Sequence, residues 1–217
     1  EFRALLNEQL ETDKWVYIPN IVSDMFLSLP FESSHRKAEC FRFINICLLD
    51  PKKKVDLLIK AFSLVHKLIE SVELEIGGDG PELDNLIDLV NELGLQKKVK
   101  FHGRLTRDSV LEKVSKADAF VLSSEFETFG VVLVEALALG KPSIATKCGG
   151  PESIITPEVG FLVDKNSPEA LAEAMIKLYK NQGNYNRDEI REYCRREFSE
   201  ASVVSRLLRV YNDIDKQ

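Results

Sequence analysis

The feature that most constrains this chain is a regular alternation, from Phe41 onward, of short β-branched or aromatic runs with longer amphipathic ones. The strand candidates are Phe41–Cys47, Val72–Ile76, Val99–His102, Ala119–Leu122, Ser143–Ala145 and Gly160–Val163. Helical patterns lie between and after them at Val55–Leu68, Glu82–Leu93, Asp108–Lys116, Val131–Leu139 and Pro168–Tyr179. Most of the strand runs are apolar without alternation, as strands covered on both faces are. The order predicts an α/β fold, a doubly wound parallel sheet. Punctuation agrees: Pro81 after Gly80 predicts the first helical position, and Gly94 after Leu93 predicts a C-terminal stop.

The ends fit this core less well. Residues 1–30 contain a helix-like Phe2–Leu10, a short strand candidate Trp15–Ile18 and the turn Pro19-Asn20, and read as the remnant of a preceding domain with its linker. Residues 31–186 then form the main domain. Residues 187–217 carry two helical stretches, with an apolar stripe of Val203, Val204, Leu207, Leu208 and Tyr211. Such a stripe must pack on something, either the edge of this domain or a second one. The chain opens at Glu1 without Met, inside a helix-like run, which reads as the start of a fragment.

Composition narrows the partners. Of 217 residues, 44% are hydrophobic and 29% charged, ordinary for a globular α/β domain. The formal charge of −6 argues against a nucleic-acid partner, because phosphate-backbone binding needs clustered Lys and Arg. Cys40, Cys47, Cys148 and Cys194 form no C-x-x-C pair and read as reduced thiols of a cytoplasmic protein. No signal peptide and no apolar run of ~20 residues is visible. His35, His66 and His102 show no metal spacing, and Asp213-Ile214-Asp215 sits in a polar tail, so no metal site is expected.

The densest chemical signal is the run from Ser124 to Ala136, where a strand, a loop and a helix start follow one another. The free N–H groups and positive dipole end of a helix start suit a phosphate. Gly130 would let a ligand approach the backbone. Glu135, two turns in, leans back toward that end and is placed to accept hydrogen bonds from ribose hydroxyls. Its neighbours are almost all apolar, so a solvated role explains it poorly and a partner is required. Glu127, in the loop, is placed to touch whatever the phosphates carry, although a solvated side chain would also explain it.

Three further loops follow predicted strands, where ligands of open α/β sheets bind. In Asp50-Pro51-Lys52-Lys53-Lys54 a lysine is placed to neutralise a diphosphate, although three lysines also suit a plain surface. In Phe101-His102-Gly103-Arg104-Leu105, Arg104 is placed to stack on a base, although a turn glycine with an exposed arginine explains the same letters almost as well. Cys148-Gly149-Gly150-Pro151-Glu152 is a glycine loop opening a short helix, equally a sugar-facing loop or a tight turn. Gly78-Asp79-Gly80 follows a strand too, but Leu83 replaces the third glycine of a dinucleotide fingerprint, which argues against NAD.

Taken together, these residues resemble family four of the retaining glycosyltransferases, enzymes with two Rossmann-like domains, the GT-B fold. The resemblance covers nearly the whole chain. Its most specific element is Glu127, seven residues, then Glu135, followed by Ala136-Leu137-Ala138-Leu139-Gly140-Lys141-Pro142. Ile76-Gly77-Gly78-Asp79-Gly80-Pro81 and Phe101-His102-Gly103 match as well, Tyr17-Ile18-Pro19-Asn20 looks like the interdomain turn, and Phe198-Ser199 like the start of the last crossover helix. The resemblance implies that the chain is the C-terminal, nucleotide-sugar-binding half of such an enzyme, transferring a hexose-type sugar to a glycan, lipid or small acceptor. It implies Lys53 on the donor diphosphate, Glu127 on the transferred sugar, Glu135 on the ribose and the Phe129, Gly130 and Val131 amides on the phosphates. Gly78, Gly103, Arg104, Gly149 and Gly150 complete the expected donor surface. The expectation includes no metal and no cofactor, and peripheral membrane association through the missing N-terminal half. One departure stands out: Cys47-Leu48 occupies the place where members commonly carry Gly-Arg. Losing one charged hydrogen bond costs about 1.5–3 kcal/mol of donor stabilisation unless Lys52 or Lys54 compensates. The alternatives are a catalytically inactive nucleotide-sugar-binding module and another GT-B-like enzyme, such as an epimerase.

Overall fold

The computed structural model describes residues 16–29 and 40–214. A short helix, α1 (Asp24–Leu27), precedes six strands: β1 (Phe41–Ile46), β2 (Val72–Gly77), β3 (Val99–Phe101), β4 (Ala119–Leu122), β5 (Ser143–Thr146) and β6 (Gly160–Val163). They form one sheet in the order β3-β2-β1-β4-β5-β6, every pair parallel. The crossover helices are α2 (Val55–Leu68), α3 (Leu83–Glu92), α4 (Arg107–Lys116) and α5 (Val131–Ala138), followed by α6 (Pro168–Lys180), α7 (Arg187–Phe198) and α8 (Glu200–Ile214).

Side-chain alternation along each strand feeds two cores. Phe43 and Leu74 join Leu58, Phe62, Leu86 and Met175 of α2, α3 and α6 on one face. Ile44 and Phe120 join Val114, Leu133, Leu137, Ile190 and Phe198 of α4, α5 and α7 on the other. This two-sided covering is why the strand runs are apolar throughout. Helix α7 is part of the second core, and the Cys194 thiol donates to the Val134 carbonyl at 3.4 Å. The stripe on α8 diverges: Val203 is buried, whereas Val204, Leu207, Leu208 and Tyr211 are exposed.

Two expectations need correction. Helix α3 opens at Leu83, with Pro81 in the turn before it, because the Glu82 amide is already bonded to the Leu49 carbonyl and the Leu83 amide to Gly80. No strand forms at 16–18, where the chain is held instead by the Tyr17 hydroxyl on Ser153 Oγ at 2.9 Å. Phe2–Leu10 and Trp15 lie outside the described residues. Gly94 ends α3 as expected, with φ +68.

The strand order reverses direction between β1 and β4, which makes a crevice beyond their C-terminal ends. Asn45 fixes this point: its buried amide donates to the Val121 carbonyl at 2.8 Å and accepts from the Cys47 thiol at 3.3 Å. Burial pushes that thiol up to about 12, so Cys47 is a neutral donor here.

Candidate functional site: a charged cleft at the switch point of the sheet

The loops after β1 and β4 meet across the crevice. Asp50 caps a single 3-10 turn, Pro51–Lys53, by accepting from the Lys52 amide at 2.9 Å. Lys54 follows in the left-handed region, φ 49, and turns the chain into α2. The β4 loop is stitched to this turn: the Glu125 amide donates to the Lys52 carbonyl at 2.8 Å and Ser123 Oγ to the Lys53 carbonyl at 2.9 Å. Across the seam Lys53 Nζ meets Glu127 Oε1 at 2.6 Å, and Ser124 Oγ donates to the same oxygen at 2.9 Å. Glu127 is therefore paired and largely buried, which excludes the solvated reading. Phe126, beside it, is 62% exposed, its ring extruded from a backbone pinned on both sides.

A third loop closes the pair from below. The Glu127 amide donates to Cys148 at 3.0 Å, and the Gly150 amide to Glu127 at 2.7 Å. The following 3-10 turn, Gly150–Ser153, is capped by Glu152, whose carboxylate accepts from the Cys148 and Gly149 amides. The chain itself demands glycine here. A Cβ on Gly149 would lie 2.6 Å from the Glu127 carbonyl oxygen, and one on Gly150 2.3 Å from that of Phe129. Gly78 is fixed in the same way, 1.8 Å from the Cys47 carbonyl oxygen. These three glycines shape the cleft through their own packing.

Helix α5 opens at Val131, behind Gly130 in the left-handed region, φ 100. Its first internal bonds run from Leu133 and Val134 to the Gly130 carbonyl, so the amides of the first turn are left free at the helix start, on the loop that carries Glu127. Phe129 turns its ring the other way, into an edge contact with Phe198 at 6.0 Å. The helix is buried nearly all round, and Glu135 with it. Glu135 Oε1 accepts from an Arg107 guanidinium nitrogen at 2.5 Å, while Oε2 is buried with no partner. Burial pushes this carboxyl above the usual carboxylate range, against the pull of Arg107. The partner required for Glu135 is thus Arg107, which sequence reasoning missed. Arg107 lies in the polar string Thr106-Arg107-Asp108-Ser109, where nothing in the spacing marks it.

Next to this charged centre, a cavity of about 490 Å³ is lined by Ile46, Cys47, Leu48, Gly78, Asp79, Gly80, Arg104, Leu105 and Val110. Gly103, φ +63, has open space around it. Leu48 is 62% exposed on the cavity wall, an apolar group where a cation was expected. No group of three or more metal-ligating side chains lies among the described residues, and no described helix is long and apolar enough to cross a membrane.

A six-stranded parallel sheet with its polar groups gathered at the switch point defines a Rossmann-like domain with a ligand cleft. Residues 31–197 match the family model described as "Glycosyl transferases group 1", and the chain belongs to that family. It is 32% identical over 174 residues to N-acetyl-alpha-D-glucosaminyl L-malate synthase of Bacillus anthracis, covering 79% of this chain and 45% of that one. It is 32% identical over 143 residues to a GDP-mannose-dependent alpha-(1-6)-phosphatidylinositol monomannoside mannosyltransferase of Mycobacterium tuberculosis, covering 61% and 37%. Among solved structures, the pneumococcal O-GlcNAc transferase GtfA in complex with UDP and GlcNAc superposes with a TM-score of 0.77 at 22% identity, over 100% of this chain and 44% of that one. The chain thus spans less than half the length of these relatives.

Proposed function

We propose that this chain is the donor-binding half of a retaining glycosyltransferase, holding a nucleotide-diphosphate hexose for transfer to an acceptor carried by the rest of the enzyme. The observation that carries the reading is the Lys53–Glu127 pair at the switch-point crevice, with Glu127 on the loop that leads from β4 into α5. Lys53 and the first-turn amides of α5 supply positive charge to a diphosphate, whose negative charge grows as the glycosidic bond breaks. Glu127 lies where the sugar would sit and Glu135 where the ribose would, with Arg104 and the cavity beside it taking the base. UDP and GlcNAc bound to GtfA, and the GDP-mannose dependence of the mycobacterial relative, support a nucleotide sugar as ligand. The donor sets the test: UDP-, GDP- and ADP-sugars, each screened by saturation-transfer NMR with EDTA present. At least one should show saturation on its ribose protons; a folded chain that binds none would end the reading.

The exposed Leu48 favours one second reading, a nucleotide-sugar-binding module without transfer activity. It predicts donor binding without sugar transfer even when the missing half is supplied.

A further inference from the structure

A carboxylate inside an apolar helix is costly unless a charge and a donor meet it. Glu135 is 0% exposed, yet its partner Arg107 lies at the surface, with 55% of its side chain exposed. The arginine is held in place from two directions. Thr106 caps α4 by accepting from the Ser109 amide at 3.2 Å, which fixes the backbone of Arg107 as the first helical residue. The ring of Phe26, itself fully buried, lies under the guanidinium at 5.0 Å. The bond to Glu135 is made through one oxygen only. Oε2 is buried and accepts nothing, a state that costs free energy until a donor arrives. Among the described residues Arg107 is the one charged group that acts on Glu135.

We infer that Arg107 is a positioning residue for the donor site: it ties up Oε1 of Glu135, holds that carboxylate ionised and aimed, and reserves Oε2 for a hydroxyl of the bound nucleotide. The inference rests on the proposed donor-binding role of Glu135 and adds a residue that no feature of the family resemblance assigns. It also joins the donor site to the segment before β1, because Phe26 of α1 supports the guanidinium.

The test uses UDP and GDP as probes, titrated by calorimetry into the wild-type chain, Arg107→Ala and Arg107→Lys, with circular dichroism confirming the fold. Without the guanidinium, burial acts on Glu135 unopposed and its proton affinity climbs further. Arg107→Ala should therefore lose about tenfold more affinity relative to wild type near pH 6 than near pH 8, a ratio in which the titration of the probe's own terminal phosphate cancels, and Arg107→Lys should recover most of the loss. Carboxyl-carbon NMR of Glu135 gives a readout free of ligand, in which its titration should move upward in Arg107→Ala. An unmoved titration, a pH-independent loss, or tighter binding by Arg107→Ala would overturn the positioning role. If neither probe binds wild type while the titration still moves, the functional reading fails and the electrostatic one stands.

Discussion

Lys53 and Glu127 sit 2.6 Å apart on two loops separated by 74 residues, paired across a half-closed cleft. A diphosphate and a sugar would meet opposite members of the pair, so their replacement has different consequences. Glu135→Ala should weaken binding of free UDP or GDP by about tenfold or more, because the ribose is part of the free nucleotide. Glu127→Ala should leave that binding within about threefold and weaken only the sugar nucleotide. Calorimetry separates the two, and equal losses from both variants would contradict the assignment. Leu48→Arg places a guanidinium on the cavity wall near Lys53. It should tighten nucleoside diphosphate binding by about tenfold, and an unchanged affinity in a folded variant would mean that the phosphates pass elsewhere.

At the scale of elements, the loops hold the site and the helices hold the loops. Gly150→Ala drives a Cβ onto the Phe129 backbone, so thermal unfolding should show a loss of about 1–3 kcal/mol. Lys141 is buried after α5 and donates to the Ser115 and Ala117 carbonyls at 2.7 Å, finishing α4. Burial pulls its ammonium down to about 7, with Arg187 adding to the shift and Asp118 opposing it. Between about pH 7 and 10 the unfolded chain then holds the extra proton, so this residue makes stability rise with pH, by at most about 1.4 kcal/mol per unit. Lys141→Met should lack that slope, so the difference in stability between wild type and variant should grow with pH from about 7 to 10; parallel curves would show that the lysine titrates normally. Much of this level was legible in the sequence, since strands buried on both faces announce themselves and the helices between them follow. Arg107 was not, because a surface arginine at a helix start looks like any other until the fold brings it to Glu135. The start of α3 was missed because tertiary bonds to Leu49 hold Pro81 and Glu82 in a turn. The glycine loops were ambiguous because only coordinates show which atom a Cβ would strike.

At the scale of the molecule, the proposed donor-side groups lie between Cys47 and Gly150, beyond the C-terminal ends of the strands of one sheet. The cleft they form has no described wall opposite it, and Phe126 with Val204, Leu207, Leu208 and Tyr211 of the α8 stripe is exposed. The isolated chain should accordingly bind a sugar nucleotide but fail to pass the sugar to an acceptor, and full transfer by these 217 residues alone would refute the division of labour. The most direct measurement is a crystal structure of the chain with the nucleoside diphosphate that it binds. The account predicts the diphosphate at the first-turn amides of α5 beside Lys53, a ribose hydroxyl on Glu135 Oε2 with Arg107 still on Oε1, and the base against Arg104. A nucleotide bound away from the β1–β4 crevice, or a ribose that leaves Glu135 untouched, would contradict it.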